Sequence, residues 1–128
     1  MNIAVLPQSW APALQSALRI MAGLLMLEHG TGKLFGFPSL PGMREALGPL
    51  FLPTGLIELV GGALILVGFL TRPTAFVLSG FMAVAYFMAH FPRGFFPVLN
   101  NGELAILYCF VFLYLAATGP GPYAIDRK

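Results

Sequence analysis

Four long apolar segments constrain this chain more than any other feature of its sequence. They cover residues 13–35, 53–70, 73–90 and 102–118. A helix needs about 20 apolar residues to cross the ~30 Å hydrocarbon core of a bilayer, and each segment meets or nearly meets that length. The segments are apolar on every face, whereas the strands of a membrane barrel alternate apolar and polar residues. The sequence therefore predicts an all-α integral membrane protein, a four-helix bundle with up-down topology, as one transmembrane domain over residues 1–128.

The composition agrees with a membrane protein and excludes several other classes. Apolar residues make up 58% of the chain and charged residues only 9%, against about 25% charged residues in a soluble domain. The mean hydropathy is +0.83, which excludes a disordered chain. The net charge of +2 comes from scattered residues, so no nucleic-acid partner is expected. Because the chain has one cysteine, Cys109, it lacks the pair that an internal disulfide or CxxC redox chemistry requires.

The charges outside the spans predict an orientation. The first residues lack a basic stretch, so we expect the first span to be retained rather than cleaved as a signal peptide. Four spans would put both termini on one side of the membrane. That side would hold Arg72, Arg127 and Lys128, with Arg19 nearby. The other side would hold Lys33, Arg44 and Arg93. The positive-inside rule then favours cytoplasmic termini, by about one charge.

Two loops lie on the side opposite the termini in this topology. Residues 36–52 are rich in Gly and Pro and include a possible short interfacial helix at Met43–Leu47. Residues 91–101 carry three phenylalanines that we expect in or near the membrane interface. Long cationic side chains near span ends, such as Arg19, Lys33 and Arg72, are expected to reach water, which removes most of the cost of placing a charge in lipid.

Proton-bearing side chains gather at the ends of the spans that face these loops. An ionisable group inside a membrane is costly, so each one suggests a function or a partner. The predicted topology brings eight such candidates for ligand binding or proton relay to one layer: Glu28, His29, Lys33, Glu58, Tyr86, His90, Asn101 and Glu103. Asn100 lies next to this group.

Helical periodicity predicts which faces carry these residues. Glu58 shares a face with Gly55, Gly62 and Ile65, and small residues allow a neighbouring helix to approach, so Glu58 is expected to point inward. His29 and Lys33 share a stripe with Ala22 and Met26, whereas Glu28 lies about 100° away. Tyr86 and His90 share a stripe with Ser79 and Ala83. In the last span the predicted inward stripe comprises Glu103, Leu107, Phe110 and Tyr114.

Each of these residues also has a structural interpretation. His90 can cap a helix and face water, and Glu103 is favoured at a helix N-terminus by the helix dipole alone. Cys109 lies off the polar stripe and is expected to be a packing residue. Glu58 lies inside an apolar span, where a carboxylate is costly. We therefore expect it to have a functional role or to belong to a charge network.

A series of short motifs extends over residues 16–126 and begins with Arg19 followed by His29-Gly30-x-x-Lys33. It continues with Gly55-Leu-Ile-Glu58-x-x-Gly61-Gly62 and Leu66-Val-Gly68-Phe-Leu-Thr-Arg72, and it ends with Asn101-Gly102-Glu103 and Gly119-Pro-Gly-Pro-Tyr123. In the order and spacing of these motifs the chain resembles the DoxX family of small four-helix bacterial membrane proteins. The resemblance implies the same four-helix fold. It implies a multi-pass protein of the bacterial inner membrane. It also implies a link to membrane-bound redox complexes, since the family name is associated with a subunit of a thiosulfate:quinone oxidoreductase.

Three functional hypotheses remain open from the sequence. The first is a redox-linked subunit that binds a quinone-type or similar amphipathic ligand in a polar pocket, together with a redox partner protein or as a homo-oligomer. The second is a non-catalytic membrane protein, whose buried charge network is structural or binds a lipid or a small solute. The third, less favoured, is a haem or metal site that uses His29 and His90. The Glu-x-x-His motif of carboxylate di-iron bundles is absent.

Overall fold

The computed structural model describes residues 1–126, and within them the secondary structure is helical, with no strand. The helices are α1 (Ala11–Phe35), α2 (Met43–Leu47), α3 (Phe51–Val67), α4 (Thr71–Ala85), α5 (Pro97–Asn100) and α6 (Glu103–Thr118). Short 3₁₀ turns cover Gln8–Trp10, Gly48–Leu50 and Phe91–Arg93, and α4 continues into a π-helical turn at Tyr86–His90.

Each of the four predicted spans is helical over most of its length, and the short helix expected at Met43–Leu47 is present. Three continuous helical stretches are long and apolar enough to cross a membrane: Gln8–Phe35, Met43–Val67 and Thr71–Arg93. Helix α6 is apolar but shorter. The up-down topology stays a prediction. So does the orientation of the termini, since Arg127 and Lys128, which entered that argument, lie outside the described residues.

The break between the second and third spans differs from the predicted one. Helix α3 ends at Val67 rather than residue 70, because Gly68 adopts a left-handed conformation with φ of 73°. Glycine favours this conformation because it has no Cβ. Leu70 is also left-handed, with φ of 53°, and α4 begins at Thr71.

The described residues form two compact units. The first contains Met1–Phe69 and the residues from Pro120 onward, and the second contains Leu70–Gly119. The expectation of a single transmembrane domain stays a prediction.

Glycines bring α1 and α3 together in the first unit. A Cβ atom on Gly23 would lie 2.5 Å from the backbone nitrogen of Leu66, and one on Gly62 would lie 2.6 Å from that of Leu27. No side chain fits at either position without moving backbone. Because lipid provides little hydrophobic drive for helix association, such close backbone contact is a main source of attraction between membrane helices.

Arg19 joins the C-terminal residues to α1 and α3 in the first unit. Its side chain is almost fully buried, with 1% of the residue exposed. The guanidinium donates hydrogen bonds to the carbonyl oxygens of Pro120 and Tyr123, and a longer one of 3.4 Å to Leu66. Ser16 also donates to the Pro120 carbonyl oxygen. The expectation that Arg19 extends to water is therefore wrong, because protein carbonyl groups within reach solvate its charge.

Helices α4 and α6 pack against each other in the second unit, and the buried face of α6 differs from the predicted stripe. The Ser79 hydroxyl donates a 2.7 Å hydrogen bond to the carbonyl oxygen of Cys109. The buried residues of α6 are Ala105, Tyr108, Phe112 and Leu115. The predicted stripe of Glu103, Leu107, Phe110 and Tyr114 is exposed instead. Since α6 is apolar on all sides, only Glu103 guided that prediction, and one residue in a first turn does not define a packed face.

Candidate functional site

A buried ion pair joins α1 to α3 in the first unit. The Lys33 Nζ atom lies 2.7 Å from Glu58 Oε1. The two residues are only 7% and 6% exposed, so the expectation that Lys33 extends to water is wrong, because a carboxylate of α3 lies within its reach. Lys33 lies in the last turn of α1, and Glu58 lies in the middle of α3. The prediction that Glu58 points inward beside small residues is therefore confirmed, and its partner is the cation of the facing helix.

Local sequence explains why these two side chains meet. A Cβ atom on Gly55 would lie 2.8 Å from Lys33 Cβ, so the missing side chain at this position leaves room for the lysine stem. Gly55 and Glu58 are three residues apart and therefore lie on the same face of α3. Gly55 leaves space for the Lys33 side chain, and the Glu58 carboxylate, about one turn further along α3, pairs with the Lys33 ammonium group.

Thr54 also contacts the ion pair, through Lys33, and this contact was not predicted from the sequence. Its hydroxyl donates to the carbonyl oxygen of Leu50, at 2.6 Å, one helical turn back. The Thr54 oxygen in turn accepts a 3.0 Å hydrogen bond from Lys33 Nζ. Threonine commonly bonds to its own helix in this way, so its sequence position alone gave no signal of a tertiary role.

The ion pair has unused capacity for hydrogen bonding. Glu58 Oε1 is buried and contacts Lys33 Nζ at 2.7 Å, and in the described part of the chain this oxygen accepts no hydrogen bond beside that ion pair. An ionised carboxylate has about four acceptor positions. A buried carboxylate oxygen with a single contact can accept a further hydrogen bond from a bound molecule, and the carboxylate can take up a proton.

A second polar group, centred on Asn100, lies within the second unit. Asn100 is completely buried, and its amide nitrogen donates to the Tyr86 hydroxyl and to the Gly94 carbonyl oxygen. Its amide oxygen accepts from the Gly102 backbone nitrogen. His90 Nδ1 lies 3.0 Å from the Asn100 carbonyl oxygen. Asn100 thus holds together the π-helical turn and the residues that lead into α6.

The other candidate residues are half-buried or exposed. His29 is half-buried on α1, and its Nδ1 lies 2.8 Å from the Leu25 carbonyl oxygen. Glu28, Asn101 and Glu103 are exposed. In the described second unit, neither Asn101 nor Glu103 forms a side-chain hydrogen bond with Tyr86 or His90. The residue that organises this loop is Asn100, the neighbour of the predicted Asn101.

The structure thus brings together Lys33 with Glu58 in one unit, and Tyr86 and His90 with Asn100 in the other. The expectation that both groups line one cavity stays a prediction. Within residues 1–126, no group of three or more His, Cys, Asp or Glu side chains is arranged to hold a metal ion.

Comparison with known proteins identifies the family. The DoxX family model matches residues 14–91. A Haemophilus influenzae relative with the name "Uncharacterized protein" is 43% identical over 126 residues, which cover 94% of each chain. The Escherichia coli "Inner membrane protein YqjF" is 38% identical, over 85% of this chain and 86% of the relative.

A more distant relative has a name that refers to an activity. The Bacillus subtilis "Putative oxidoreductase CatD" is 27% identical over 85% of this chain and 81% of the relative. No solved structure matches. The family model covers more than half of the sequence, and the two nearer relatives match this chain over 94% and 86% of their own length, so this chain belongs to the DoxX family.

Proposed function

We propose that this chain is a redox-linked protein of the bacterial inner membrane, in which the Lys33–Glu58 pair binds the head group of a quinone-type or similar amphipathic ligand. The membrane location is supported by the apolar helices and by the name of the Escherichia coli relative. The redox link is supported by the name of the Bacillus subtilis relative. The ligand class rests on the chemistry of the ion pair.

The single observation that carries the proposal is a buried ammonium beside a buried carboxylate oxygen that accepts no hydrogen bond other than the ion pair. A quinone accepts hydrogen bonds at its carbonyl oxygens and takes up two protons with two electrons on reduction. The Lys33 ammonium is a donor for a carbonyl oxygen, and the Glu58 carboxylate is an acceptor for a hydroxyl hydrogen. Proton exchange by positioned Glu and Lys side chains is the usual form of acid–base catalysis.

The electron source in this proposal is a partner. Because the chain has one cysteine, it contains no dithiol that could supply two electrons. We therefore infer that the chain functions as a subunit beside a redox protein, with electrons delivered by that protein. A homo-oligomer is the alternative assembly, and it would still require an external reductant.

A structural role for the same pair is the second candidate. The observation in its favour is that Lys33 Nζ contacts both Glu58 and Thr54, so the ammonium is well satisfied without a ligand. In this hypothesis the pair fixes the register of α1 against α3, and removing one partner leaves an uncompensated buried charge. Such losses cost about 3–5 kcal/mol.

Substitution of Glu58 distinguishes the two candidates. We would purify the protein from membranes with its native lipids, extract it and measure co-purified quinone, then titrate it with a decyl-substituted benzoquinone. The proposal expects bound quinone in the parent protein and at least a ten-fold weaker affinity in Glu58→Gln. Glu45→Gln, which alters an exposed carboxylate on α2, is the matched control and should bind normally.

The structural hypothesis predicts a different result. Glu58→Gln would lower the melting temperature, while neither the parent protein nor the variant would bind quinone. Absence of quinone from the parent protein, with no binding on titration and partner subunits present, would refute the proposed function.

A further inference from the structure

The π-helical turn at the end of α4 presents two polar side chains whose hydrogen-bonding capacity is only partly used. Tyr86 and His90 begin and end this turn, and their rings are stacked, with centroids 6.2 Å apart and an interplanar angle of 25°. Turns of this kind occur frequently at functional sites. Both side chains are fixed by Asn100, which is completely buried.

The His90 hydrogen bond determines which ring nitrogen can act as an acceptor. Nδ1 lies 3.0 Å from the Asn100 carbonyl oxygen, and a carbonyl oxygen can only accept. Nδ1 therefore carries the hydrogen, and in the neutral ring Nε2 has the free lone pair. Histidines that bind ligands or metals are commonly oriented in this way, by a backbone carbonyl at the other ring nitrogen.

Tyr86 supplies the complementary donor. Its hydroxyl oxygen accepts a 3.0 Å hydrogen bond from the Asn100 amide, so its own hydrogen is left to donate elsewhere. In the described chain no acceptor takes this hydrogen, although Tyr86 is buried. A buried donor without an acceptor is unfavourable, which indicates that a bound group satisfies it.

The surroundings of the pair are aromatic. The Phe91 ring lies 6.3 Å from the Tyr86 ring, and the Phe87 ring lies 5.3 Å from it in an edge contact. Phe87 and Phe91 are both substantially exposed. Aromatic rings favour offset or edge contacts with other rings, so this surface suits a flat ring better than a flexible chain.

We propose that Tyr86 and His90 form a binding site for a hydroxylated aromatic ring, whose hydroxyl oxygen accepts from Tyr86 and whose hydroxyl hydrogen donates to His90 Nε2. A hydroxyl group carries both the acceptor oxygen that Tyr86 requires and the donor hydrogen that His90 requires. A carbonyl oxygen would satisfy Tyr86 alone, and an ammonium would satisfy His90 alone. The site rests on the geometry of the second unit and does not depend on the function proposed for Lys33 and Glu58.

The two histidines of the chain provide a direct readout. Protein labelled with ¹⁵N-histidine in lipid nanodiscs gives two sets of ring signals, and a His29→Gln variant assigns them. The probe is 2-naphthol, with 2-methoxynaphthalene as the matched compound that keeps the rings and lacks the hydroxyl hydrogen. Because the signal belongs to one residue, general partitioning of either compound into lipid does not obscure it.

The expected result is a saturable shift of the His90 Nε2 signal with 2-naphthol, and no such shift with the methoxy compound at equal membrane concentration. Tyr86→Phe removes the donor and should weaken the affinity for 2-naphthol by roughly five- to ten-fold. The His29 signals and the melting temperature of this variant report whether it is folded.

Three results would overturn the proposal. The first is a neutral His90 with its hydrogen on Nε2. The second is the same response to both compounds, which would indicate non-specific contact with the rings. The third is an unchanged affinity in folded Tyr86→Phe, which would leave Asn100 and its partners with a structural role only.

Discussion

Replacement of Arg19 by methionine is expected to release the C-terminal residues from the first unit. The guanidinium forms close hydrogen bonds to the carbonyl oxygens of Pro120 and Tyr123 and a weak one to Leu66. A hydrogen bond to a charged group contributes about 1.5–3 kcal/mol. Methionine removes two strong bonds and takes the guanidinium donor from the Tyr123 carbonyl, whereas the Pro120 carbonyl keeps the Ser16 hydroxyl as a donor. It also removes the cost of burying the charge. We therefore expect a net loss of about 3 kcal/mol.

The assay is unfolding of the purified protein in detergent micelles, followed by circular dichroism, together with limited proteolysis of the C-terminal residues. Arg72→Met is the matched control, because Arg72 is exposed and forms one hydrogen bond to a carbonyl, that of Ala116. This control should lose no more than about 1 kcal/mol of unfolding free energy. Arg19→Lys keeps the charge but lacks the planar guanidinium that donates several hydrogen bonds at once. Its loss of unfolding free energy should therefore lie between the losses of Arg19→Met and Arg72→Met.

Arg19 and the C-terminal residues should also be energetically coupled. If Arg19 acts by holding the C-terminal residues, deletion of residues 120–128 and Arg19→Met should destabilise the protein by less in combination than the sum of the two single effects. Additive effects would refute this role for Arg19, as would equal stability of the Arg19→Met and Arg72→Met variants.

Two other predictions concern packing and the Asn100 group. Gly62→Ala should lower the free energy of unfolding by about 1–3 kcal/mol, because the new Cβ atom would overlap the backbone of α1. The control is Gly80→Ala, which adds a methyl group in open space. In the same thermal assay this control should be neutral or slightly stabilising. Asn100→Ala removes three side-chain hydrogen bonds and should cost about 2–4 kcal/mol. The control is Asn101→Gly, because Asn101 is exposed and left-handed with φ of 62°, a conformation that glycine adopts readily. If this control lost as much unfolding free energy as Asn100→Ala, Asn100 would not be the residue that organises the loop.

Apolar length and helical periodicity predicted the parts of the fold that depend on local sequence. The four helical segments follow from their hydrophobicity, and the inward direction of Glu58 followed from its small neighbours. The face of α6 was not predictable, because a helix that is apolar on all sides has no preferred side until a partner is present. The end of α3 at Gly68 depends on a left-handed residue, whose position hydropathy does not report.

The polar partners were less predictable than the polar residues themselves. Arg19 was expected to reach water, since the carbonyl that it binds at Pro120 is more than 100 positions away along the chain. Asn100 and Asn101 are identical neighbours, and only the backbone of the loop decides which of them is buried. The pairing of Lys33 with Glu58 required knowledge of the distance between α1 and α3, which Gly23, Gly55 and Gly62 together determine.

The two buried cations of the first unit differ in a way that bears on function. Arg19 binds neutral carbonyl groups and remains protonated under any physiological condition. Lys33 contacts a carboxylate, so transfer of one proton converts the ion pair into two neutral groups. A role confined to stability is compatible with arginine at position 33, whereas proton exchange requires an amine that can lose its proton.

Lys33→Arg therefore tests whether the pair does more than hold two helices together. The arginine keeps the charge and the attraction to Glu58, so the variant should stay folded, with a melting temperature near that of the parent protein. If Lys33 exchanges protons with a bound ligand, quinone-dependent turnover with the partner protein present should fall by at least ten-fold, while Lys33→Met should lose both turnover and stability. Full turnover in a folded Lys33→Arg variant would show that proton loss from this residue is not needed, and the ion pair would then be a structural link between α1 and α3.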